Sequence, residues 1–244
     1  VPPDRAQAPV AFLTGAAGGI GRALVERLRS EGYRIHATDL ALAALPCVDG
    51  GFRAASLDVT DEAAVDAAIE ACRATFGRID HVIHLAGATG SGPLESVSRA
   101  DWQRLLDVNL TSAFLLARAA RAALRESQGS LTLLSSTNGL HGGSALSGPA
   151  YAVAKAGLIS LVRYLAKEWA ADRVRVNAVA PGPVDTPMLA RFTPEERARI
   201  AAAVPLGRLG EAGEVAAAIA YLIGRDGRWI TGTTLNLSGG AVLD

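Results

Sequence analysis

Val10-Ala11-Phe12-Leu13-Thr14-Gly15-Ala16-Ala17-Gly18-Gly19-Ile20-Gly21 is the stretch on which the fold of this chain turns. Its first five residues form an apolar run with the length and composition of a buried strand. From Ile20 to Ser30 the apolar residues then recur at helical spacing. Between them lies a glycine-rich turn. Gly15, Gly19 and Gly21 permit a tight bend, close backbone approach to a pyrophosphate, and close packing of helix on strand. The amides that open the helix, around Gly19, Ile20 and Gly21, supply unpaired N–H groups and positive partial charge for phosphates. A flexible loop would also be glycine-rich; strand before and helix after is the context that favours a nucleotide site.

The same alternation continues outward from this unit. Strands are expected at Arg34–Asp39, Phe52–Asp58, His81–Ala86, Ser130–Ser135, Val174–Ala180 and Thr233–Leu237. Helices are expected at Asp61–Phe76, Asp101–Leu124, Pro149–Ala171 and Glu211–Ile223. Apolar strands alternating with helices imply a parallel α/β sheet covered on both faces. The link Leu40–Gly51 is short and holds Pro46 and Gly50-Gly51, so it leaves at most a turn or two of helix. Residues 1–9 read as a loose leader, and 10–244 as one domain. The excursion at about 187–209 carries Pro187, Pro194 and Pro205 around a helix at Pro194–Ala203, and reads as a lid.

Composition narrows the function. Half of the 244 residues are apolar, and 24 basic residues balance 24 acidic ones. No basic stripe argues for nucleic acid. No apolar stretch is long enough for a membrane span. Cys47 and Cys72 make no disulfide framework, which suggests free thiols in a cytoplasmic setting. The four histidines lack metal-ligand spacing, so no metal is expected.

Asp39 ends the second strand at the distance where a carboxylate grips a ribose diol. It would repel a 2′-phosphate, and no basic residue beside Gly19 or just after Asp39 offsets that, so NAD(H) is favoured over NADP(H). A turn-capping role for Asp39 is the plainer alternative. Asp58, followed by Val59, could bond an adenine amino group or N-cap the next helix; the two roles are compatible. Tyr151 and Lys155 stand one helical turn apart, on one face. A phenol there could exchange a proton with a substrate, and a nearby ammonium would ease its ionisation. Lys155 is one of only two lysines, the other being Lys167.

In order along the chain stand the glycine turn, Asp39, Asp58-Val59, Ala86-Gly87, Asn109, Ser135-Ser136, Tyr151 with Lys155, Asn177, and Pro181-Gly182-Pro183-Val184-Asp185-Thr186. With these markers the chain resembles the short-chain dehydrogenase/reductase family, from about Val10 to its C-terminus. The resemblance implies a single Rossmann-type domain with seven parallel strands and nucleotide at their carboxyl ends. It implies Tyr151 as general acid/base, with a phenol near 10 when free lowered by Lys155 and by the cationic nicotinamide. Lys155 would also hold the nicotinamide ribose. Ser136, the second of its pair, would bond the reacting oxygen, and Asn109 would hold a relay water. The backbone of Val184 and the Thr186 hydroxyl would bind the carboxamide, with Pro181 and Gly182 shaping that loop. The bland readings are a helix-bend asparagine, a strand-end serine pair and a core tyrosine.

Two departures stand out. Where the family usually has Asn-Asn-Ala-Gly, this chain has His84-Leu85-Ala86-Gly87. Two amides that would tie loops together are lost, Ala86-Gly87 keeps the close approach to the adenosine ribose, and His84 reads as a satisfied core histidine. The spacing from Ser136 to Tyr151 is a little longer than the family's, so the intervening loop carries an insertion.

The expected substrate pocket is lined by Gly139–Ser147, Thr89–Leu94 and Met188–Val204, with Asn138, His141, Ser144 and Arg191 as polar contacts. A secondary alcohol or its ketone fits. A 3-oxoacyl-carrier-protein reductase, or a dehydrogenase of cyclic dihydrodiols or of sugars and polyols, is an alternative; a non-catalytic nucleotide-sensing regulator is one of another class. By resemblance the two long helices pair across a two-fold axis, giving a homotetramer, with a dimer next.

Overall fold

The computed structural model describes residues 8–43, 45 and 49–243. Residues 1–7 of the expected leader, with Pro46 and Cys47, lie outside the described residues. Seven parallel strands form the main sheet: β1 (Val10–Thr14), β2 (Arg34–Asp39), β3 (Phe52–Ser56), β4 (His81–His84), β5 (Ser130–Leu134), β6 (Arg175–Pro181) and β9 (Thr234–Leu237). Their order is β3-β2-β1-β4-β5-β6-β9, so the winding reverses between β1 and β4. That reversal opens a crevice at the carboxyl ends of the strands, where such sheets bind ligands.

All of β1 is buried because both of its faces are covered. Phe12 joins one apolar layer with Val65 and Ile69 of α2 (Glu62–Phe76), Leu116 of α4 (Ser112–Ser127) and Leu158 of α6 (Pro149–Trp169). Its neighbours Ala11 and Leu13 join the other, with Leu24 of α1 (Gly19–Ser30) and Ile219 of α8 (Ala212–Ile223). Alternate residues of one strand thus build opposite layers.

Local chemistry sets the helix ends. Asp61 caps α2 by accepting a hydrogen bond from Ala64 N, and Gly77 closes it in the left-handed region at φ 77°. The cap of α2 is therefore Asp61, and the capping alternative for Asp58 is corrected: its Oδ1 accepts from both Thr60 N and Thr60 Oγ1 instead. Pro149 begins α6 where a missing N–H costs nothing. No described residue of the β2–β3 link is helical.

Three expectations change. The strands expected to reach Asp58 and Ala86 end at Ser56 and His84, because the chain leaves the sheet there to line the crevice. The single helix expected over Asp101–Leu124 is α3 (Arg99–Leu106) and α4, joined by a π-helical turn at Asp107–Thr111. The cause is Asn109, whose side-chain amide takes the Leu105 carbonyl at 2.9 Å and so widens the turn.

The excursion after β6 is clamped at its base. Two short strands, β7 (Val184–Asp185) and β8 (Gly210–Glu211), pair in parallel there. Between them lie a 3-10 turn at Pro187–Arg191 and α7 (Pro194–Ala202), which starts with a Thr193–Glu196 capping box.

Candidate active site

A cavity of about 810 Å³ occupies the crevice and runs from the glycine turn to the 187–200 segment. The sequence-predicted catalytic and cofactor-binding residues all line it: Gly15, Gly19, Ile20, Gly21, Asp39, Asp58, Val59, Ala86, Gly87, Asn109, Ser136, Tyr151, Lys155, Pro181, Gly182, Val184 and Thr186.

The glycine end is built by close approach. At Gly15, φ is +69° and a Cβ would sit 2.5 Å from Ala86 N; at Gly21 a Cβ would sit 2.2 Å from Gly15 O. A side chain at Gly15 would collide with the Leu85–Ala86 backbone, and one at Gly21 with the backbone of Gly15 and Ala16. The start of α1 has no side-chain cap and no acidic residue in its first turn. Its N–H groups face the cavity and suit an anion. Asp39 stands beside them: Oδ2 accepts from Ala17 N at 2.9 Å and Oδ1 from Ala41 N at 3.3 Å. The ribose-binding candidate is thus also the clip that holds the glycine turn to β2. A dinucleotide fits this end, with backbone donors for its phosphates and a fixed carboxylate beyond them.

His84 restores the tie that the absent amides would have made. Its Nδ1 lies 2.7 Å from Thr14 Oγ1, and its Nε2 lies 3.0 Å from Ser112 Oγ. Ser112 gives its one hydroxyl hydrogen to Val108 O at 2.7 Å, so Nε2 carries the imidazole proton and Nδ1 accepts from Thr14. Burial, with Lys155 nearby, pushes the His84 pKa down to about 3, so the ring is neutral. It joins β1, β4 and α4 beneath the cavity. Thr14 and Ser112 were not singled out by the sequence; a buried histidine opposite two hydroxyls was the only available signal.

The reacting end is assembled from three elements. Asn109 projects from the π turn: Nδ2 donates to Ala88 O at 2.8 Å, and Oδ1 accepts from Ala88 N at 3.2 Å. It thereby sets the strand-four loop, in addition to bending the helix. Ser135 is buried and donates to Lys155 O at 2.8 Å, so it serves the backbone of α6. Ser136 lines the cavity, accepts from Asn138 N at 3.1 Å and interacts with the Tyr151 phenol.

Tyr151 and Lys155 are both buried, and the Lys155 Nζ lies 5.5 Å from the Tyr151 ring centroid. The ammonium donates to Leu134 O at 2.7 Å. No carboxylate among the described residues pairs with it. Burial alone pushes its pKa down to about 7. Burial raises the Tyr151 pKa above its ordinary value, and Ser136 and Arg191 pull it back.

Comparisons with known proteins agree with this geometry. Residues 15–242 match the model of a family described as enoyl-(acyl carrier protein) reductase. The chain is 36% identical over 236 residues to the 3-oxoacyl-[acyl-carrier-protein] reductase FabG of Escherichia coli, covering 95% of this chain and 96% of that protein. It is 34% identical over 241 residues to an acetoacetyl-CoA reductase of Acinetobacter, covering 95% and 96%. Among solved structures, a short-chain dehydrogenase/reductase of Brucella melitensis described as a glucose/ribitol dehydrogenase matches with a TM-score of 0.91 and 30% identity, over 97% of each chain. A 3-ketoacyl-(acyl-carrier-protein) reductase of the same organism, complexed with NADH, matches with a TM-score of 0.89 and 27% identity, over 98% of this chain and all of that one. With its sheet order, glycine turn and Tyr151–Lys155 pair in one crevice, the chain belongs to the short-chain dehydrogenase/reductase family and is an oxidoreductase of the CH–OH/ketone couple.

Proposed function

We propose that this enzyme uses NAD(H) to interconvert a secondary alcohol and a ketone, with Tyr151 as the general acid/base. The observation that carries this reading is the Tyr151 phenol at the Ser136 side chain, inside the cavity, with the Lys155 cation on the same helix face. When bound, the nicotinamide ring supplies or accepts the hydride. Tyr151 gives its proton to the oxygen of the reacting carbonyl or takes one from the alcohol. Ser136 donates to the same oxygen and stabilises its developing charge. Lys155 holds the nicotinamide ribose, and Asn109 supports a relay water behind it. Gly15, Gly19, Ile20 and Gly21 receive the pyrophosphate. Asp39, with the backbone of Ala86 and Gly87, receives the adenosine ribose, and Asp58 and Val59 the adenine. Pro181, Gly182, Val184 and Thr186 flank the carboxamide.

The preference for NAD(H) rests on charge. The lysine and arginines lining the cavity, Arg104, Lys155 and Arg191, come from α3, α6 and the 187–191 turn. None comes from the stretches around Gly19, Asp39 or Asp58. Among the described residues lining the cavity there, no cation would offset repulsion between Asp39 and a 2′-phosphate. Replacing Asp39 by alanine is expected to narrow the ratio of kcat/KM for NADH over NADPH by about tenfold or more. An unchanged ratio would show that Asp39 serves only the turn.

A 3-oxoacyl thioester is the second substrate reading, favoured by the reductases that this chain resembles at 34–36% identity. The deciding experiment pairs NADH or NADPH with acetoacetyl-CoA and crotonyl-CoA, and NAD+ or NADP+ with a cyclic diol and a polyol. NADH oxidation with a ketone supports the proposal. Turnover confined to crotonyl-CoA would move the reaction to a carbon–carbon double bond. Nucleotide binding without any turnover would favour a sensor.

The proposal also places the enzyme in the cytoplasm as a homotetramer. Cys72 carries no disulfide, and burial pushes its thiol up to about 12. Among the described residues no helix is long and apolar enough to cross a membrane. Phe114 on α4, with Val153 and Tyr164 on α6, is an exposed apolar side chain on the helices expected to pair. Light scattering is expected to give four subunits; a single subunit at micromolar concentration would remove this part of the reading.

A further inference from the structure

The substrate end of the cavity has three walls: the loop 88–94, the loop 139–147 and the lid segment 187–204. The two loops are joined through their backbones, with Gly90 N donating to Ser147 O at 3.2 Å and Gly92 N to Ala145 O at 2.7 Å. The lid reaches them by a different device. Arg191 Nη1 donates to Gly90 O at 2.8 Å, and Nη2 donates to Leu146 O at 2.5 Å. Among the described residues, no other side chain of 187–204 hydrogen-bonds to either loop. One planar fork therefore spans the mouth and ties all three walls together.

We propose that Arg191 is a positioning residue that latches the lid over the substrate end of the cavity. Three features suit it to that work. Its guanidinium lies over the Phe192 ring, 4.6 Å from the centroid, which orients the fork without a carboxylate. Its partners are backbone carbonyls, whose positions do not depend on rotamers. The lid is pinned at its base by Val184↔Gly210 and Asp185↔Glu211, so a contact near its free edge decides whether it lies open or shut. Arg197 pairs with Asp185 at that base and cannot do the same. The closed position also brings a fixed cation toward the reacting phenol, since Arg191 is one of the two groups that lower the Tyr151 pKa against burial.

The inference rests on the alcohol–ketone reading only for what the latch covers, and its test is separable from that reading. Amide hydrogen–deuterium exchange over 187–202 is compared in the full-length wild type, Arg191→Ala and Arg191→Lys. Exchange is expected to quicken about tenfold in Arg191→Ala, confined to the lid and the two facing loops. Arg191→Lys keeps the charge but loses the planar fork, and is expected to remain fast. With acetoacetyl-CoA and NADH, the alanine variant is expected to raise KM about tenfold with kcat changed less, and to leave the Kd for NADH unchanged. Lid exchange equal to wild type overturns the proposal. So does a parallel loss of NADH affinity and thermal stability, which would make Arg191 a general structural residue. If the wild type turns over no alcohol or ketone, the proposed function falls and the exchange comparison still decides the latch.

Discussion

The Tyr151→Phe variant is expected to bind NADH with the wild-type Kd and to lose about 10²–10⁴-fold in kcat. The ring stays, so the packing of α6 against α5 (Thr137–His141) and the cavity wall is kept. Only the hydroxyl leaves, and with it the proton donor and acceptor that the proposal sets beside Ser136. Ser136 cannot replace it, because an aliphatic hydroxyl donates a hydrogen bond to the reacting oxygen but does not give up its proton at neutral pH. Steady-state kinetics beside a fluorescence titration of NADH would measure both quantities. A variant that turns over at the wild-type rate would remove Tyr151 from the chemistry. A variant that no longer binds nucleotide would make the phenol a structural support instead.

Lys155→Met is expected to abolish turnover to a comparable degree and to make the protein more stable. The two effects have one cause. Lys155 is 3% exposed, and burial depresses its pKa from 10.5 to about 7. That depression corresponds to roughly 5 kcal/mol of folding stability forgone while the group is charged in both states. Methionine removes this cost and fills similar volume. The Leu134 carbonyl loses its donor, at about 1–3 kcal/mol, which is the smaller effect.

The pH dependence follows from the direction of the shift. Between pH 7 and 10.5 the unfolded chain holds a proton that the folded chain has released. Wild-type stability therefore gains up to about 1.4 kcal/mol per pH unit from this group as pH rises through that window. Below pH 7 the penalty is present in full. The variant lacks the slope, so its advantage in Tm is expected to be largest near pH 6 and to shrink toward pH 10. Each kcal/mol is worth about 2–4 °C in a chain of this size. A variant less stable than wild type at pH 6 would show that Lys155 is not held charged in a dry site.

Most of the architecture was legible before any coordinate. Apolar runs such as Val10–Thr14 are buried on both faces, and a run of that kind can be satisfied only inside a covered parallel sheet. The glycine turn was legible because a strand, Gly15, Gly19 and Gly21 within seven residues, and a helix follow one another directly, although the atoms that exclude a side chain at Gly15 and Gly19 belong to Ala86 and Thr186. Tyr151 and Lys155 were legible because one helical turn fixes their relation whatever else the chain does. Element ends were less so. Ser56 and His84 end their strands earlier than expected because the sheet's crevice, and not local propensity, decides where the chain leaves it.

What the sequence alone determined is therefore the alternation of buried strands and helices and the one-turn pairing of Tyr151 with Lys155, since these follow from periodicity; the strand count, the winding and the other groups at the carboxyl edge came with the family resemblance. Only the tertiary structure decided how those groups are held and charged. It shows Asn109 widening a helix by capturing Leu105 O, His84 taking over the tie between Thr14 and Ser112, and Arg191 bridging loops that lie 45 and 101 residues away along the chain. It also buries Lys155, whose pKa is thereby pushed down to about 7. Hydrogen-bond partners across such separations, and the loss of water that shifts a pKa, exist only once distant segments have closed around one another.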